Sequence, residues 1–452
     1  MNKMVKSIRE AIQLAGLKDG MTVSFHHHLR NGDFVLNMVM NEIAELGCKD
    51  IFVNASSLFD VHMPLLEHIE NGVVTGISAD YISAGLGKAF SQGVLAKPVQ
   101  FRTHGGRPSD ISQGNTPIDV AFIAAPAADP MGNCSGKYGK SACGSLGYAF
   151  ADAMFAKKVI VITDNLMPYP LQDWSISEDW VDFVVTVDAI GNPKGIVSGT
   201  TQITRDPVGL VMAAHAAKVI EHSGLLKDGF SFQTGAGGAT LAAAKFLKDI
   251  MLEKKIQGSF GLGGITAYMV DMLRAGCFQS LLDVQCFDLD AVESIRTDPR
   301  HMEISAMRYA SPSARSAAVD SLDVVLLGAT EIYTDFNVNV HTDSNGYIMG
   351  GSGGHSDTAA GAKLSMIIAP MFRARLPIVT DRVTCISTPG KDIDVLVTQG
   401  GIAVNPKNVE LKEKTERITG TPKHIAKGDR VVAKVIDRYG NDQDNIYNVP
   451  QL

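Results

Sequence analysis

A dense glycine loop with a histidine and a carboxylate close behind it is the chemically richest stretch of this chain. Thr330–Asp357 reads TEIYTDFNVNVHTDSNGYIMGGSGGHSD. Gly350, Gly351, Gly353 and Gly354 let the backbone take positive φ and approach a ligand closely. Bare N–H groups aimed at one point suit a developing oxyanion. His355 and Asp357 follow, and Glu331 and Asp335 precede, so acid, base or nucleophile roles are within reach. A second loop, FQTGAGG at Phe232–Gly238, joins a strand to a helix. Thr234, Gly235, Gly237 and Gly238 would there present N–H groups at a helix amino terminus, where the dipole favours negative charge. The spacing is neither G-x-G-x-x-G nor G-x-x-x-x-G-K-[ST], which leaves phosphate binding or carbonyl polarisation.

Cationic and imidazole groups supply the complement. His26-His27-His28 follows a strand directly; in an extended stretch His26 and His28 share a face and His27 points away. Arg30 and the run His104-Gly-Gly-Arg107 are candidates to grip carboxylates, because guanidinium binds them bidentately. Each feature also has a plain reading. A glycine cluster can be a surface turn, a loop arginine a solvated charge, and Glu331 a carboxylate satisfied by neighbouring backbone.

The elements that must position these groups alternate along the chain. Met21–Phe25, Asp50–Ser56, Asp119–Ala124, Lys158–Thr163 and Val181–Val187 read as strands. Asp33–Leu46, Leu146–Ala156 and Pro207–Ser223 read as helices between them, which is the pattern of an α/β fold with a largely parallel sheet. The second half repeats the first. PIDVAFIAAPAADPMGN at Pro117 matches SLDVVLLGATEIYTDFN at Ser321. WVDFVVTVDAIGNP at Trp180 matches DIDVLVTQGGIAVNP at Asp392, and TVSFHHHLRNGD at Thr22 matches FSFQTGAGGATL at Phe230. One order and nearly one offset imply two copies of one fold. The expected domains are 1–223 and 224–422, with a segment 423–452 forming a terminal β-hairpin that packs on the second domain. Loops that follow strands would line one cleft between the domains.

Composition bounds the partners. A chain of 452 residues with 45% apolar content can build two large cores. Its net charge of −7 argues against nucleic acid or an anionic membrane as the main partner. No apolar run has the length of a membrane span, and the amphipathic start is not a secretory signal. Six cysteines without C-x-x-C spacing read as free thiols in a reduced cytoplasmic protein with no metal site.

Many ordered blocks carry a family resemblance. They include SFHHHLRNGD, HGGR, GKSACGSLGYAFADA, MPYP, FQTGAGGATLA, FGLGGITAYMVD, LLDVQCFD, EISAMRYASP, FNVNVHT, GGSGGHSDTA and DIDVLVTQGGIAVNP. Over nearly the whole length the chain resembles the α subunits of citrate lyase, within the CoA-transferase superfamily. The resemblance implies two CoA-transferase-type domains in tandem, with the active site in the cleft between them. It implies transfer of an acyl-carrier thioester from acetate to citrate, after which a β subunit cleaves the citryl thioester to oxaloacetate. The thioester would be acetyl-CoA or the dephospho-CoA-derived prosthetic group of an acyl carrier protein, with no cofactor held by this chain. Partners would be the β and carrier (γ) subunits, in a homo-oligomeric or hetero-oligomeric complex. Relatives have a longer stretch than Val409–Lys423 before the terminal hairpin. The covalent CoA-transferases carry a nucleophilic glutamate near the segment Arg308–Pro312, which here reads RYASP. That implies direct attack by a substrate carboxylate, with Gly237, Gly238 and Gly353 holding the oxyanion and Glu331 as the alternative nucleophile. Arg30, His26, His104 and Arg107 are expected to bind the acid, and Thr234, Gly235, Gly351, Gly354 and His355 the thioester. Two other readings stand beside this one: a CoA-transferase or hydrolase for another acid, and an inactive scaffold that binds CoA or carrier.

Overall fold

The computed structural model describes residues 2–197, 202–373, 375–408, 431–436 and 442–447. Near-continuous apolar runs such as KVIVIT at Lys158–Thr163 are buried on both faces, as parallel strands covered by helices require. The first half supplies β1 (Met4–Val5), β2 (Thr22–Phe25), β3 (Ile51–Ala55), β4 (Val74–Ala79), β5 (Val99–Phe101), β6 (Val120–Ala124), β7 (Lys158–Thr163) and β8 (Phe183–Thr186). They pair in the order β1-β8-β7-β6-β2-β3-β4-β5, all parallel. The second half supplies β9 (Ser231–Thr234), β10 (Gly258–Ile265), β11 (Phe278–Cys286), β12 (His301–Glu303), β13 (Val324–Leu327), β14 (Leu364–Ile368), β15 (Val395–Thr398) and β16 (Gly401–Val404). Their order is β12-β11-β10-β9-β13-β14-β15-β16, with only β16 antiparallel.

These are one topology used twice. Reading from β8 to β5 and from β15 to β12, the strands correspond one to one in chain order. Register agrees as well. Val23, Val120 and Lys158 lie abreast in one sheet, and Phe232, Val324 and Leu364 in the other. Val120 and Val324 are 204 apart, Val184 and Leu396 are 212 apart, and Val23 and Phe232 are 209 apart. The sequence repeat gives the first two offsets and misses the third by one residue.

The terminal hairpin departs from expectation. Its strands β17 (Val431–Ile436) and β18 (Asp442–Tyr447) pair antiparallel, and β17 runs parallel to β5. The hairpin therefore extends the first sheet instead of packing on the second half. The open edge of β5 has unpaired backbone groups, and a strand that satisfies them is placed by that edge and not by its neighbours in sequence. Val409–Lys423, the expected limit at 422 and the turn Tyr439-Gly440-Asn441 lie outside the described residues.

Short helices follow the strands at the shared boundary: α1 (Gly106–Ser112) and α2 (Ala149–Phe155) from the first half. The longer α3 (Pro207–His222) leads into the second half, capped by Asp206 on the N–H groups of Val208 and Gly209. There follow α4 (Gly238–Lys254), α5 (Ala267–Arg274), α6 (Ala306–Ala310) and α7 (His355–Gly361). Two backbone bonds tie the halves in matching positions: His104 N–H to Gly353 O (2.9 Å) and Ala306 N–H to Gly147 O (2.8 Å). No helix among the described residues is long and apolar enough to cross a membrane.

Candidate active site

Loops from both halves meet at the carboxyl ends of their strands, on the side where open α/β sheets bind ligands. They enclose a cavity of ≈ 310 Å³, within the range used for small-molecule sites. Its polar lining comes from His27, Arg30, Ser57, Tyr81, His104, Gln285 and Ser352. Phe59, Phe287, Ala236, Gly351 and Gly353 complete it. His27 follows β2, and Ala236 follows β9, its counterpart in the other sheet. Both stand where strand order reverses.

Arg30 is the cation of this cavity. Its guanidinium lies between the rings of Phe59 (5.4 Å) and Phe287 (5.0 Å), one from each half of the chain. No carboxylate pairs with it among the described residues; its one hydrogen bond runs to Ile196 O at 3.4 Å. Burial pulls its pKa below the usual arginine value, yet arginine stays charged at any ordinary pH. A desolvated cation lacking its anion is chemically suited to a carboxylate.

His104 stands beside it. Its Nδ1 meets Asp80 Oδ2 at 2.9 Å, and Asp80 is buried, which pushes that carboxyl upward. The ring is held against the glycine loop: a Cβ on Gly353 would lie 3.1 Å from His104 Nε2. Gly353 has φ +51°, and a Cβ on Gly351 would fall 2.2 Å from the Asp80 carbonyl oxygen. Glycine is therefore required for this approach of loop to histidine. His27 is neutral, its pKa lowered well below the ordinary value by burial, and its Nδ1 bonds Ser56 Oγ at 2.6 Å. Gln285 Nε2 donates to His27 O (3.0 Å), while its buried Oε1 has no partner among the described residues. That oxygen can accept a bond from a substrate hydroxyl.

The structure corrects several expectations. Arg107 is only 2% exposed, donating to Asp152 Oδ1 and Asn54 Oδ1 at 2.8 Å each. It is a buried structural ion pair rather than a substrate ligand. His26 lies behind His27: its Nε2 accepts from Ala124 N–H, its Nδ1 meets the ring of His28, and burial lowers its pKa to about 4. Glu331 is fully buried in a small sheet with Val338–Asn339 and Val379–Thr380, accepting from Asn339 Nδ2 (3.0 Å) and Thr384 N–H (2.9 Å). Its carboxylate is satisfied away from the cavity. Asp335 is exposed and closes a local turn through Asn337. His355 uses both ring nitrogens, on Thr388 Oγ1 (2.7 Å) and Gly328 O (2.8 Å), with its pKa lowered by burial to about 4. Asp357 accepts from Thr103 Oγ1 (2.7 Å) and Gly105 N–H (2.8 Å), fastening the His104 loop to α7. Gly353 N–H donates to Asp80 O (3.1 Å) and Gly235 N–H to Leu326 O (2.8 Å), so neither is free for an oxyanion. Thr234 is buried and bonds Gly235 O, and Gly354 packs under Tyr309.

Gly237 and Gly238 remain. Gly237 caps α4 without a side-chain bond, and the N–H groups of both glycines have no acceptor among the described residues. They lie just beyond Ala236 of the lining. Sequence reasoning missed Asp80, Phe59, Phe287 and Gln285. Gln285 sits in LLDVQCFD at the end of a strand, and a polar residue in such an apolar run is the signal that marks it. Among the described residues, donors of Asp283, Cys286 and His301 also converge, but Asp283 Oδ2 accepts from both others at 2.9–3.0 Å.

A family model described as citrate lyase, alpha subunit, matches residues 1–449. Proteins named citrate lyase alpha chain are similar throughout. That of Haemophilus influenzae is 48% identical over 99% of this chain and 93% of its own length. That of Escherichia coli is 47% identical over 99% and 91%. A crystal structure from Streptococcus mutans, named as the alpha subunit of citrate lyase in complex with citrate, superposes with a TM-score of 0.97. It is 46% identical and covers 100% of this chain and 92% of that one. A malonate decarboxylase alpha subunit from Acinetobacter baumannii shares the fold at 16% identity, with a TM-score of 0.71 over 89% of this chain and 81% of its own. Matched from end to end by the family model and by relatives near half identity, the chain belongs to the citrate lyase alpha subunit family.

Proposed function

We propose that this chain transfers an acyl-carrier or CoA thioester from acetate to citrate by direct attack within the Arg30 cavity. One observation carries the mechanism: among the described residues the cavity lining holds a guanidinium with no carboxylate partner, and no carboxylate. A covalent route needs a side-chain carboxylate at the reacting carbon, whereas direct attack needs a cation to place the substrate's own. Arg30 grips one citrate carboxylate and Gln285 Oε1 accepts from the citrate hydroxyl. A second carboxylate oxygen attacks the acetyl carbonyl, with the Gly237 and Gly238 N–H groups on the oxyanion. The C–S bond breaks and the thiolate leaves a mixed anhydride. The thiolate then attacks the citryl carbonyl, and acetate departs with its oxygen. No net proton moves, so the site works by holding reactants together, worth up to roughly 7–11 kcal/mol.

His104, oriented by Asp80, borders the reacting groups from the first half of the chain. The relatives' names support citrate as the acid, and the name alpha subunit supports work within a multi-subunit complex; the partners proposed are β and carrier subunits, and the proposed compartment is the cytoplasm. A thioester-exchange assay with acetyl-CoA against a panel of di- and tricarboxylic acids tests the reading. Citrate is expected to be the preferred acceptor. In Arg30→Met its KM should rise by roughly 10–100-fold, the equivalent of one charged hydrogen-bonding group. Exchange that ignores citrate, or that is unchanged in the variant, would sink the reading.

A further inference from the structure

A buried cluster beneath the cavity wall has no part in the transfer chemistry. Asp283 and Cys286 of β11 and His301 of β12 bring their donor atoms within 4.8 Å of one another. All three residues are buried, Asp283 and Cys286 completely. His301 lies opposite Leu281 in the parallel pair, and Asp283 is two residues further on. Both side chains therefore leave the sheet on one face. Asp283 Oδ2 meets His301 Nε2 at 2.9 Å and Cys286 Sγ at 3.0 Å.

The carboxylate is only half satisfied. Asp283 Oδ1 is buried with no hydrogen-bond partner among the described residues. No lysine or arginine among them pairs with it, and His301 could compensate its charge only by taking a proton into the core. The imidazole is also oriented as a metal ligand is. Its other nitrogen, Nδ1, stands 3.0 Å from Ser294 Oγ, on the helix Leu289–Thr297. A metal-bound imidazole donates from that second nitrogen to an outer partner. Burial pushes the Cys286 thiol well up, and Asp283 adds to the effect. A bound cation reverses this, because a coordinating thiol is deprotonated outright.

We propose that Asp283, Cys286 and His301 hold one structural zinc ion. Both carboxylate oxygens, the thiolate and imidazole Nε2 make the four-donor set that zinc takes. One carboxylate and one thiolate neutralise the dication, and thiolate with imidazole selects against Mg²⁺ and Ca²⁺. Zinc bonds of roughly 2.0–2.3 Å hold ligand atoms roughly 3.3–3.7 Å apart, so the side chains part by under about 1 Å to admit the ion. Gln285 lies between the two β11 ligands and Phe287 follows them, and both line the Arg30 cavity. The ion thus pins the strand end that carries them. From the first half, Ser145 Oγ donates to Asp283 O at 3.0 Å, and a Cβ on Gly144 would fall 2.2 Å from Cys286 Sγ. Both halves therefore enclose the ion as the chain folds.

Elemental analysis of the full chain, produced and purified with zinc present, tests this. About one zinc per chain should survive dialysis of the native protein against EDTA and be lost in urea. Asp283→Asn and Cys286→Ser should each keep less than about a tenth of it, whereas Cys48→Ser, at a partly exposed thiol, should keep it all. Refolding the parent with Co²⁺ should give a thiolate-to-cobalt absorption that Cys286→Ser lacks. Ser294→Ala should bind zinc about 10–100-fold more weakly. The proposal falls if the parent carries no zinc and takes up no Co²⁺ on refolding, or if EDTA strips the native chain. It falls equally if both ligand variants keep their zinc, or if Ser294→Ala binds as tightly as the parent. The parent's own metal content remains a test even where a ligand variant does not fold.

Discussion

Two arginines that look alike in the sequence have opposite jobs. Arg30 lies between two phenyl rings with no carboxylate partner among the described residues, and Arg107 lies in the core on Asp152. Breaking a buried pair strands its partner, so Arg107→Met should lose about 3–5 kcal/mol of stability. Arg30→Met removes a charge that has no partner to strand, so its urea-unfolding midpoint should stay near the parent's. Equal midpoints for both variants would contradict these assignments. The sequence marks both residues as cations in loops after strands. It does not show that Asp152, 45 residues away, folds back onto one of them. The same limit applies to Glu331, whose partners are Asn339 on a neighbouring strand and Thr384 in a later loop.

The glycine loops have positional demands that composition alone does not disclose. Gly353 has φ +51°, and its missing side chain makes room for His104. Gly237 has φ −78°, and an added Cβ would meet nothing nearer than 3.6 Å. Gly353→Ala should therefore cost about 1–2 kcal/mol from the left-handed backbone alone and displace His104, lowering kcat. Gly237→Ala should leave stability within about 0.5 kcal/mol and keep its N–H donor. Thermal melts and exchange rates of the two variants check this; the reverse ranking would contradict it. Helices, strands and both loops were legible because apolar periodicity and glycine spacing are local. The partner of the terminal hairpin was not, since which edge a strand joins depends on the assembled sheet.

Across the whole molecule, the repeat was the most informative feature of the sequence, because each matched block is a strand at the same station of a duplicated sheet. The site forms where the copies meet, and the copies have diverged there: His27 occupies one half and Ala236 the matching place in the other. This boundary is rich in buried imidazole. Burial lowers His26 and His355 to about 4 and His341 to about 3, against an ordinary value near 6.5. Unfolded chains then bind protons that the native state refuses, so stability rises with pH across that window and falls on acidification from about 6.5. Asp80 and Asp152, raised by burial, act with the opposite sign nearer the carboxylate range. Urea midpoints should therefore drop clearly between pH 7 and 5; a flat profile would contradict the neutral burial of these rings.

Direct attack is tested most sharply by withholding the acid. Intact-protein mass spectrometry after incubation with acetyl-CoA alone should show the unmodified chain, because among the described residues the cavity lining offers no carboxylate to acylate. Thioester exchange should begin only when citrate is added. A CoA-sized adduct formed without citrate, mapping to Glu331 or any other carboxylate, would contradict direct attack and place the nucleophile on the enzyme.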